Sequence, residues 1–218
     1  HCVSEFFRIS QNVPPPEVFT RSHREILTGG RTNSGVPVFF QLLGGDPEKL
    51  AQAALQAAKM GALGIDLNFG CPARTVNSND GGATLLKYPQ RIFEIVSAVR
   101  QSVPAAVSVS AKLRLGWENP EDIFVNAEMA EKAGANWITI HARTKSQGYK
   151  PPANWEMLGR VKKNMSIPLV ANGEIWTLDD FKKCREVTGC EHYMLGRGAF
   201  ANPNLAHQVA FEMGLTAV

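Results

Sequence analysis

The chain has 218 residues, of which 44% are hydrophobic and 20% are charged. This composition excludes an intrinsically disordered protein, which would have fewer apolar residues and a larger charge imbalance. It also argues against a membrane protein, because no uncharged apolar stretch approaches the roughly 20 residues that a span needs. The net charge of +3 neither proves nor excludes a polyanionic partner.

The four cysteines form neither a CxxC pair nor a zinc-binding spacing, so we expect no metal site and a reduced, cytoplasmic setting. We expect three of them, Cys2, Cys184 and Cys190, to be small buried hydrophobic residues. The chain begins with His1 rather than Met, and we therefore expect that a preceding segment has been removed.

Strand and helix patterns alternate along the whole chain. Short apolar or β-branched runs predict seven strands: Val3–Ile9, Val38–Leu43, Gly64–Phe69, Val107–Leu115, Trp137–Ala142, Pro168–Asn172 and His192–Leu195. Apolar residues at spacings of three and four predict helices between them: Pro47–Met60, Pro89–Val103, Pro120–Ala133, Trp155–Met165 and Leu178–Val187. This alternation is typical of parallel strands with right-handed crossovers, and no linker interrupts it, so we predict one domain.

Seven strands fit either an open doubly wound sheet or a barrel that lacks one strand. Polar residues follow nearly every predicted strand, which favours a barrel mouth, and no GxGxxG turn follows a strand, which disfavours a dinucleotide-binding open sheet. We therefore predict an α/β fold of the TIM (β/α)8 barrel type. Its first strand is absent from the chain and is expected to precede His1.

Alternation along the strands predicts which side chains face the barrel mouth. Lys112 and Arg114 share one face of their strand, and His141 and Arg143 share one face of the next. Two cations in a barrel mouth are costly to desolvate unless an anionic or polar ligand meets them. The alternative is a strand end whose charges are simply solvated.

Cys71 lies in a loop directly after a predicted strand, between Gly70 and Pro72. Asp66 and Asn68 share one face of that strand. A thiol at the barrel mouth can act as a proton donor or as a nucleophile, and the residues alone do not distinguish the two roles.

Two later strands end in glycine-containing turns around Gly173 and Gly196, and Arg197 follows the second glycine. Such turns let backbone N–H groups approach an anion, and the last two loops of a barrel are its usual phosphate site. Either glycine could instead be an ordinary turn residue. The two turns together with Arg197 favour phosphate binding.

Six segments occur in a recognisable order and spacing: Gln41-Leu-Leu-Gly, Asp66-Leu-Asn-Phe-Gly-Cys-Pro, Lys112-Leu-Arg-Leu-Gly, His141-Ala-Arg-Thr, Ala171-Asn-Gly-Glu-Ile and Gly196-Arg-Gly-Ala. Together they resemble the tRNA-dihydrouridine synthases over roughly His1 to Ala210. Four further segments look most like the bacterial branch that acts on position 16: Ser4-Glu-Phe-Phe-Arg, Arg31-Thr-Asn-Ser-Gly, Gly82-Ala-Thr-Leu-Leu-Lys and Asn172-Gly-Glu-Ile-Trp.

The resemblance implies an enzyme that reduces uridine to 5,6-dihydrouridine in the D-loop of tRNA, with FMN as cofactor and NADPH as reductant. A hydride would pass from the reduced flavin to C6 of uracil, and Cys71 would donate the proton to C5. Lys112 would stabilise the negative charge of the reduced flavin.

The resemblance also assigns the remaining site residues. Three would contact the flavin ring: Gln41, Lys112 and His141. Five would line the region of the ribityl phosphate: Asn172, Gly173, Glu174, Gly196 and Arg197. Three would contact the substrate base: Arg8, Asn68 and Arg114. We expect Glu174 to contact backbone or the ribityl chain rather than to pair with a charge.

The resemblance implies that residues 1–218 form the FMN-binding catalytic domain of a monomeric protein. The first strand and a C-terminal helical tRNA-binding domain would lie outside the chain. For an RNA partner we expect basic residues around the mouth: Arg8, Arg74, Arg114, Arg143, Lys145 and Lys150. Acidic residues are then expected on the opposite face: Glu118, Glu121, Asp122, Glu128 and Glu131.

Three other functions are considered. The first is another FMN-dependent TIM-barrel oxidoreductase that acts on a small molecule such as dihydroorotate or an enoate; the Gly-Cys-Pro loop argues against it. The second is a phosphate-binding barrel without flavin. The third is an RNA-binding relative without catalysis, which the intact Cys71, Lys112 and His141 disfavour.

Overall fold

The computed structural model describes residues 1–78 and 80–216. Its strands are β1 (Cys2–Val3), β2 (Phe7–Arg8), β3 (Val38–Leu43), β4 (Gly64–Asn68), β5 (Ser108–Arg114), β6 (Trp137–His141), β7 (Leu169–Asn172) and β8 (His192–Met194). Its α-helices are α1 (Pro16–Ser22), α2 (Pro47–Lys59), α3 (Arg74–Asn77), α4 (Pro89–Ser102), α5 (Asp122–Lys132), α6 (Trp155–Lys162), α7 (Leu178–Thr188), α8 (Arg197–Ala201) and α9 (Leu205–Glu212). Two 3-10 helices span Arg24–Thr28 and Gly82–Lys87.

The strands form one curled, fully parallel sheet in the order β1-β3-β4-β5-β6-β7-β8, and β2 pairs with β3 beyond β1. Because β1 and β2 both pair with β3, the two short strands together fill a single strand position beside it. The sheet therefore has seven strand positions, and it is consistent with a TIM barrel that lacks one strand. This confirms the fold class predicted from the alternation of strands and helices.

The predicted strand Val3–Ile9 is divided into β1 and β2, and the contacts of two residues explain the break. The side chain of Ser4 accepts a hydrogen bond from the backbone N–H of Gln41 at 3.0 Å. The carbonyl of Glu5 bonds the His23 ring at 2.8 Å instead of the neighbouring strand. Side-chain hydrogen bonds of this kind compete with the backbone ladder, so pairing stops and resumes at Phe7.

The helices begin where local capping chemistry places them. At α2, the Asp46 side chain accepts the N–H of Lys49 at 3.0 Å and Pro47 occupies the first turn. At α7, Thr177 and Asp180 form a reciprocal capping box. The predicted Pro47–Met60 and Leu178–Val187 helices agree with these elements to within a residue.

The core lies between the helices and the outer face of the sheet and is mostly aliphatic, with several buried phenylalanine rings. Small residues of α2, among them Ala53 and Ala57, are fully buried, and α2 packs closely against α4. Cys184 and Cys190 are buried as predicted, but Cys2 is exposed because β1 lies at the edge of the sheet. In the described part of the chain, none of the helices has the length and apolar character needed to cross a bilayer.

Candidate active site

The parallel register gathers the polar strand ends at one mouth. Asn68 of β4 is opposite Lys112 of β5, Arg114 of β5 is opposite His141 of β6, and His141 is opposite Asn172 of β7. The carboxyl ends of parallel strands meet at one edge, so these side chains surround a common space. That space is a cavity of about 300 Å³.

Ten of the twelve predicted site residues line this cavity: Asn68, Cys71, Lys112, Arg114, His141, Asn172, Gly173, Glu174, Gly196 and Arg197. The other two, Arg8 and Gln41, lie outside its lining. The cavity also has three aromatic residues that sequence reasoning missed: Phe6, Tyr149 and Trp176. Tyr149 and Trp176 could have been predicted, because each is an aromatic residue in the loop after a strand that also carries polar residues at the mouth.

Asn68 fixes the loop that carries the thiol. Its Oδ1 accepts the backbone N–H of Gly70 at 2.9 Å and that of Cys71 at 3.0 Å. The far side of the loop rests on Gly82, whose φ is +58°. A Cβ at Gly82 would lie 2.9 Å from the Cys71 carbonyl oxygen. Cys71 is thereby held at the mouth and remains partly exposed.

Gln41 lies one hydrogen bond behind the cavity lining. It accepts a hydrogen bond from Asn68 Nδ2 at 2.9 Å and donates one to Asp66 at 2.6 Å. Asp66 is buried and also accepts from the Ser110 hydroxyl at 2.6 Å. Burial raises the pKa of Asp66 despite these hydrogen bonds. The network anchors Asn68 from within the barrel.

Lys112 is partly buried beside Asn172. Burial lowers the pKa of Lys112 to about 8, with a smaller contribution from the Arg114 charge and an opposing one from Asp66. Its Nζ lies 3.5 Å from Asn172 Oδ1. The Asn172 amide donates to the Met194 carbonyl at 2.8 Å, which leaves its oxygen directed at the lysine.

His141 is a neutral imidazole in the cavity wall. Burial holds its pKa far below the usual range, and the charges of Arg114, Lys112, Arg143 and Arg197 lower it further. Its Nδ1 is buried and has no hydrogen-bond partner among the described residues. A buried ring nitrogen without a partner is costly, so this histidine suits a site in which a ligand supplies one.

Glu174 pairs with a charge, and the expectation that it would not is wrong. Its Oε2 accepts a hydrogen bond from Arg143 Nη2 in an ion pair and another from the Ala153 N–H at 2.6 Å. Arg143 is fully buried, and a buried guanidinium requires a counter-charge. Glu174 supplies it from a backbone with φ of +63°, directly after Gly173 at φ of +115°.

Arg114 is placed at the mouth but is used structurally. Its guanidinium donates to the carbonyls of Gly70 at 2.8 Å, Gly148 at 2.8 Å and Thr144 at 3.2 Å. It therefore ties the thiol loop to the loop after β6. Arg8 lies apart from the cavity on the exposed surface, where its Nη2 donates to the Thr75 carbonyl at 3.3 Å.

Two aromatic rings flank Arg197 at the outer side of the cavity. Its guanidinium lies 4.8 Å from the Tyr149 ring and 4.8 Å from the Trp176 ring. Tyr149 also packs edge-on against His141, with ring centroids 5.9 Å apart. Flat cations and rings at an open mouth form a surface suited to a planar ligand.

The expectation that the acids lie opposite the mouth is wrong for three residues. Glu118, Glu121 and Asp122 belong to the connection from β5 to α5 and the start of that helix, which is the mouth end of the barrel. The helix begins where β5 ends, so its N-terminal acids lie on the same side as the site. Glu121 is engaged by Arg160, with N–O distances of 2.6 and 3.0 Å.

The cavity is therefore cationic, with one accessible thiol and one neutral imidazole. In residues 1–78 and 80–216, no group of three or more His, Cys, Asp or Glu side chains is arranged to hold a metal ion. These groups suit the binding of an anionic or polar planar ligand, and the Cys71 thiol beside it can act as a proton donor or as a nucleophile.

Comparisons with known proteins identify close sequence relatives. A family model described as dihydrouridine synthase matches residues 5–216. The tRNA-dihydrouridine(16) synthase of Vibrio parahaemolyticus is 51% identical over 209 residues, which are 95% of this chain and 65% of that protein. Proteins of the same name from Shewanella oneidensis and Ralstonia nicotianae are 49% and 47% identical, covering 95% and 97% of this chain and 66% and 65% of theirs. The chain thus spans about 65% of the length of these relatives.

Solved structures with a similar fold are more distant. A phosphonopyruvate hydrolase in complex with oxalate and Mg²⁺ matches with a TM-score of 0.60 at 15% identity, over 92% of this chain and 67% of that chain. An N-succinyl Arg/Lys racemase from Bacillus cereus matches with a TM-score of 0.57 at 18% identity, over 88% and 46%. At this identity the likeness shows the fold alone.

Proposed function

Because the chain belongs to the dihydrouridine synthase family, we propose that it reduces uridine to 5,6-dihydrouridine in the D-loop of tRNA, at position 16. Residues 1–218 are proposed to be the FMN-binding catalytic domain of a monomeric cytoplasmic protein, with NADPH as reductant. The observation that carries the proposal is that Cys71, Lys112 and His141 line one cavity. The names of the relatives support tRNA as substrate and position 16 as target.

The residues present fit a bound FMN. Lys112 and Arg197 line the cavity, and anionic phosphate and flavin groups would compensate their charges. The buried Nδ1 of His141 has no hydrogen-bond partner among the described residues, so it could bond a polar edge of the flavin ring. Gly196 also lines the cavity, and a Cβ built there would have no atom of the described residues within 4 Å, so the backbone at this turn is open to a ligand. The residues proposed to hold FMN are Gln41, Lys112, His141, Asn172, Gly173, Glu174, Gly196 and Arg197.

Of these, Gln41 and Glu174 act through their neighbours. Gln41 positions Asn68 through the buried hydrogen bond, and Glu174 holds the strand-end turn through Arg143. The direct contacts to the cofactor would then come from the other six residues: Lys112, His141, Asn172, Gly173, Gly196 and Arg197.

When bound and reduced, FMN supplies the hydride that C6 of uracil accepts. Cys71 donates the proton that C5 requires, from a loop whose position Asn68 fixes. Lys112 would supply a positive charge to the reduced flavin, because its pKa of about 8 leaves it protonated at neutral pH. His141 remains neutral and contributes hydrogen bonding without adding a further positive charge.

The substrate base must leave its stack to enter the cavity. Unstacking costs a few kcal/mol and is least expensive in an unpaired loop, which favours the D-loop over a helical stem. Asn68, Arg114 and Arg8 are proposed to contact the substrate. Arg114 lines the cavity and would contact the base while its guanidinium joins the two loops, and Arg8 would contact the RNA outside the cavity.

The test is an assay of dihydrouridine formation in unmodified tRNA with FMN and NADPH, using the complete protein. We expect product at position 16 and none when that uridine is replaced by cytidine. Cys71→Ala should retain FMN and its reduction by NADPH but lose about 10²–10⁴-fold in uridine reduction, the usual contribution of a general acid. Cys2→Ser, which removes an exposed thiol away from the cavity, is the matched control.

Two results would contradict the proposal. Cys71→Ala retaining more than a tenth of the normal rate would remove that thiol from the role of acid. Turnover of free dihydroorotate or an enoate, without action on tRNA, would favour a small-molecule reductase.

A further inference from the structure

Trp117 holds two lysines at the rim of the barrel. The Lys87 Nζ lies 3.8 Å from the centre of the indole ring, and the Lys145 Nζ lies 4.0 Å from it. Both distances are within the range of a cation–π interaction. We call Lys87 and Lys145 the rim lysine pair.

The three residues come from consecutive strand ends. Lys87 ends the 3-10 helix that follows β4, Trp117 follows β5, and Lys145 follows β6. The carboxyl ends of these strands form the mouth, so the rim lysine pair lies on the same side of the barrel as the cavity. It is next to the cavity wall, because the carbonyl of Thr144 accepts a hydrogen bond from Arg114.

The backbone around the rim lysine pair is ordered by hydrogen bonds. The Lys145 N–H donates to the Gly116 carbonyl at 2.8 Å, and the Ser146 N–H donates to the Trp117 carbonyl at 2.9 Å. On the other side, the fully buried Asn126 donates to the Leu86 carbonyl at 3.0 Å. The lysines are thus presented by fixed loops, which lowers the entropic cost of binding.

The positive charge of the rim lysine pair is not compensated by acids. In the described residues, neither lysine takes part in an ion pair. The acids of the adjoining connection have other partners: Glu121 pairs with Arg160, and Asp122 accepts from Asn119. Glu118 is the remaining acid there, and it lies beyond ion-pair distance of both lysines. The indole ring stabilises the two ammonium groups but does not neutralise them.

We propose that the rim lysine pair binds backbone phosphates of the RNA strand whose base enters the cavity. The inference rests on the proposed function and extends it to a named contact outside the cavity. An RNA backbone is favoured because the site is an open rim formed by three loops beside the cavity. Ammonium groups in such a place bind phosphates mainly by displacing counterions.

The test measures tRNA binding by the FMN-bound protein across a range of salt concentrations. Each lost phosphate contact lowers the slope of log K against log salt by about 0.7–0.9, so Lys87→Ala with Lys145→Ala should lower it by about 1.5. Lys87→Arg with Lys145→Arg keeps both charges and should keep the slope. The matched control is Lys59→Ala with Lys163→Ala, which removes two exposed lysines near the helix ends that precede β4 and β7, at the opposite end of the barrel.

The outcomes separate this inference from the proposed function. If wild-type protein forms dihydrouridine but the Lys87/Lys145 alanine variant keeps the wild-type salt slope, the inference is overturned and the function stands. If that variant instead raises the KM for NADPH at an unchanged tRNA slope, the lysines bind the nucleotide and the RNA assignment is overturned. Wild-type protein that neither binds nor modifies tRNA would overturn the function itself. Unchanged FMN reduction and Tm in the variants would exclude a folding defect.

Discussion

Burial lowers the pKa of Lys112 to about 8 from its ordinary value of 10.5, so the ligand-free protein holds a poorly solvated ammonium at neutral pH. Asp66 reduces this cost but is itself buried, and its own pKa is raised. The free-energy penalty is therefore concentrated at the place where an anionic ligand would remove it. Binding residues often have this property, since a site optimised for its ligand is not optimised for the empty protein.

Replacing Lys112 with Met should stabilise the ligand-free protein while weakening FMN binding. The unfolded chain keeps the lysine proton up to about pH 10.5, whereas the folded protein releases it near pH 8. Wild-type stability therefore rises with pH between these values. The gain in unfolding free energy of the variant should be roughly 3 kcal/mol below pH 8 and should vanish towards pH 10.5. Denaturant unfolding of both proteins across this pH range measures it, and a pH-independent difference would contradict the assignment.

At the residue scale, the alternation along the strands predicted which side chains face the mouth, but it did not predict their hydrogen-bond and ion-pair partners. Lys112, Arg114 and His141 line the cavity as their period of two indicated. The carbonyls that accept hydrogen bonds from Arg114 lie in loops that follow two different strands. A local sequence pattern cannot predict a contact between such distant loops. The Arg143–Glu174 pair was missed for the same reason, since it joins residues 31 positions apart.

The connection between β4 and α4 is the element on which the proposed acid depends. It includes the thiol loop, the short helix α3 and the 3-10 helix that starts at Gly82. Gly82 combines a φ of +58° with close contacts to Cys71 and Val76, so two separate constraints require glycine there. The connection therefore positions Cys71 through backbone contacts as well as through Asn68.

Gly82→Ala should reduce both stability and uridine reduction. A left-handed alanine costs about 1–2 kcal/mol, and its Cβ would in addition displace the Cys71 backbone. A misplacement of about 1 Å can cost as much as 10²-fold in rate. Gly35→Ala is the matched control, because Gly35 has a φ of +81° and no atom of residues 1–78 or 80–216 lies within 4 Å of the added Cβ. Gly35→Ala should lose stability by the backbone penalty alone and keep the wild-type rate of uridine reduction. Thermal unfolding and single-turnover assays measure the two effects. Equal rates for the two variants would contradict the positioning role of Gly82.

At the scale of elements, helices were predicted better than the first strand. α2 and α7 could be predicted from their apolar periodicity and their terminal residues, because both features are local in the sequence. The break between β1 and β2 depends on Ser4 and on the contact between Glu5 and His23, which are 18 residues apart. A local run of β-forming residues cannot reveal that a distant histidine takes one of its carbonyls.

Across the whole molecule, the distribution of charge matters more than its net value of +3. The topology could be predicted from alternation alone, because parallel strands with helical crossovers have few arrangements. The distribution of charge could not be predicted in this way, because it depends on tertiary placement. Arg143 and Arg114 are buried, while Glu118, Glu121 and Asp122 lie at the mouth end of the barrel. Basic residues that remain exposed there, including Lys87 and Lys150, are the ones available to a polyanion.

Binding of tRNA should weaken steeply as salt rises, although the net charge is small. Each phosphate contact contributes about 0.7–0.9 to the slope of log K against log salt, so several contacts give a strong dependence. Filter binding or fluorescence anisotropy with unmodified tRNA between low and moderate salt would measure the slope. Free uridine should not be turned over at any salt concentration, and salt-insensitive catalysis on the free nucleoside would contradict an RNA substrate.

The hydrogen bonds from Asn68 have a consequence for deuterium exchange. Residues 69–73 have no regular secondary structure, and amides in such loops usually exchange quickly with solvent. The N–H groups of Gly70 and Cys71, however, are bonded to a side chain that is itself fastened to Gln41 and, through it, to buried Asp66. Their exchange requires the loop to separate from the barrel interior, so these two amides should be protected nearly as well as those of β4. The segment that carries the thiol should therefore exchange its amides at rates like those of the barrel strands, and more slowly than the loops around it.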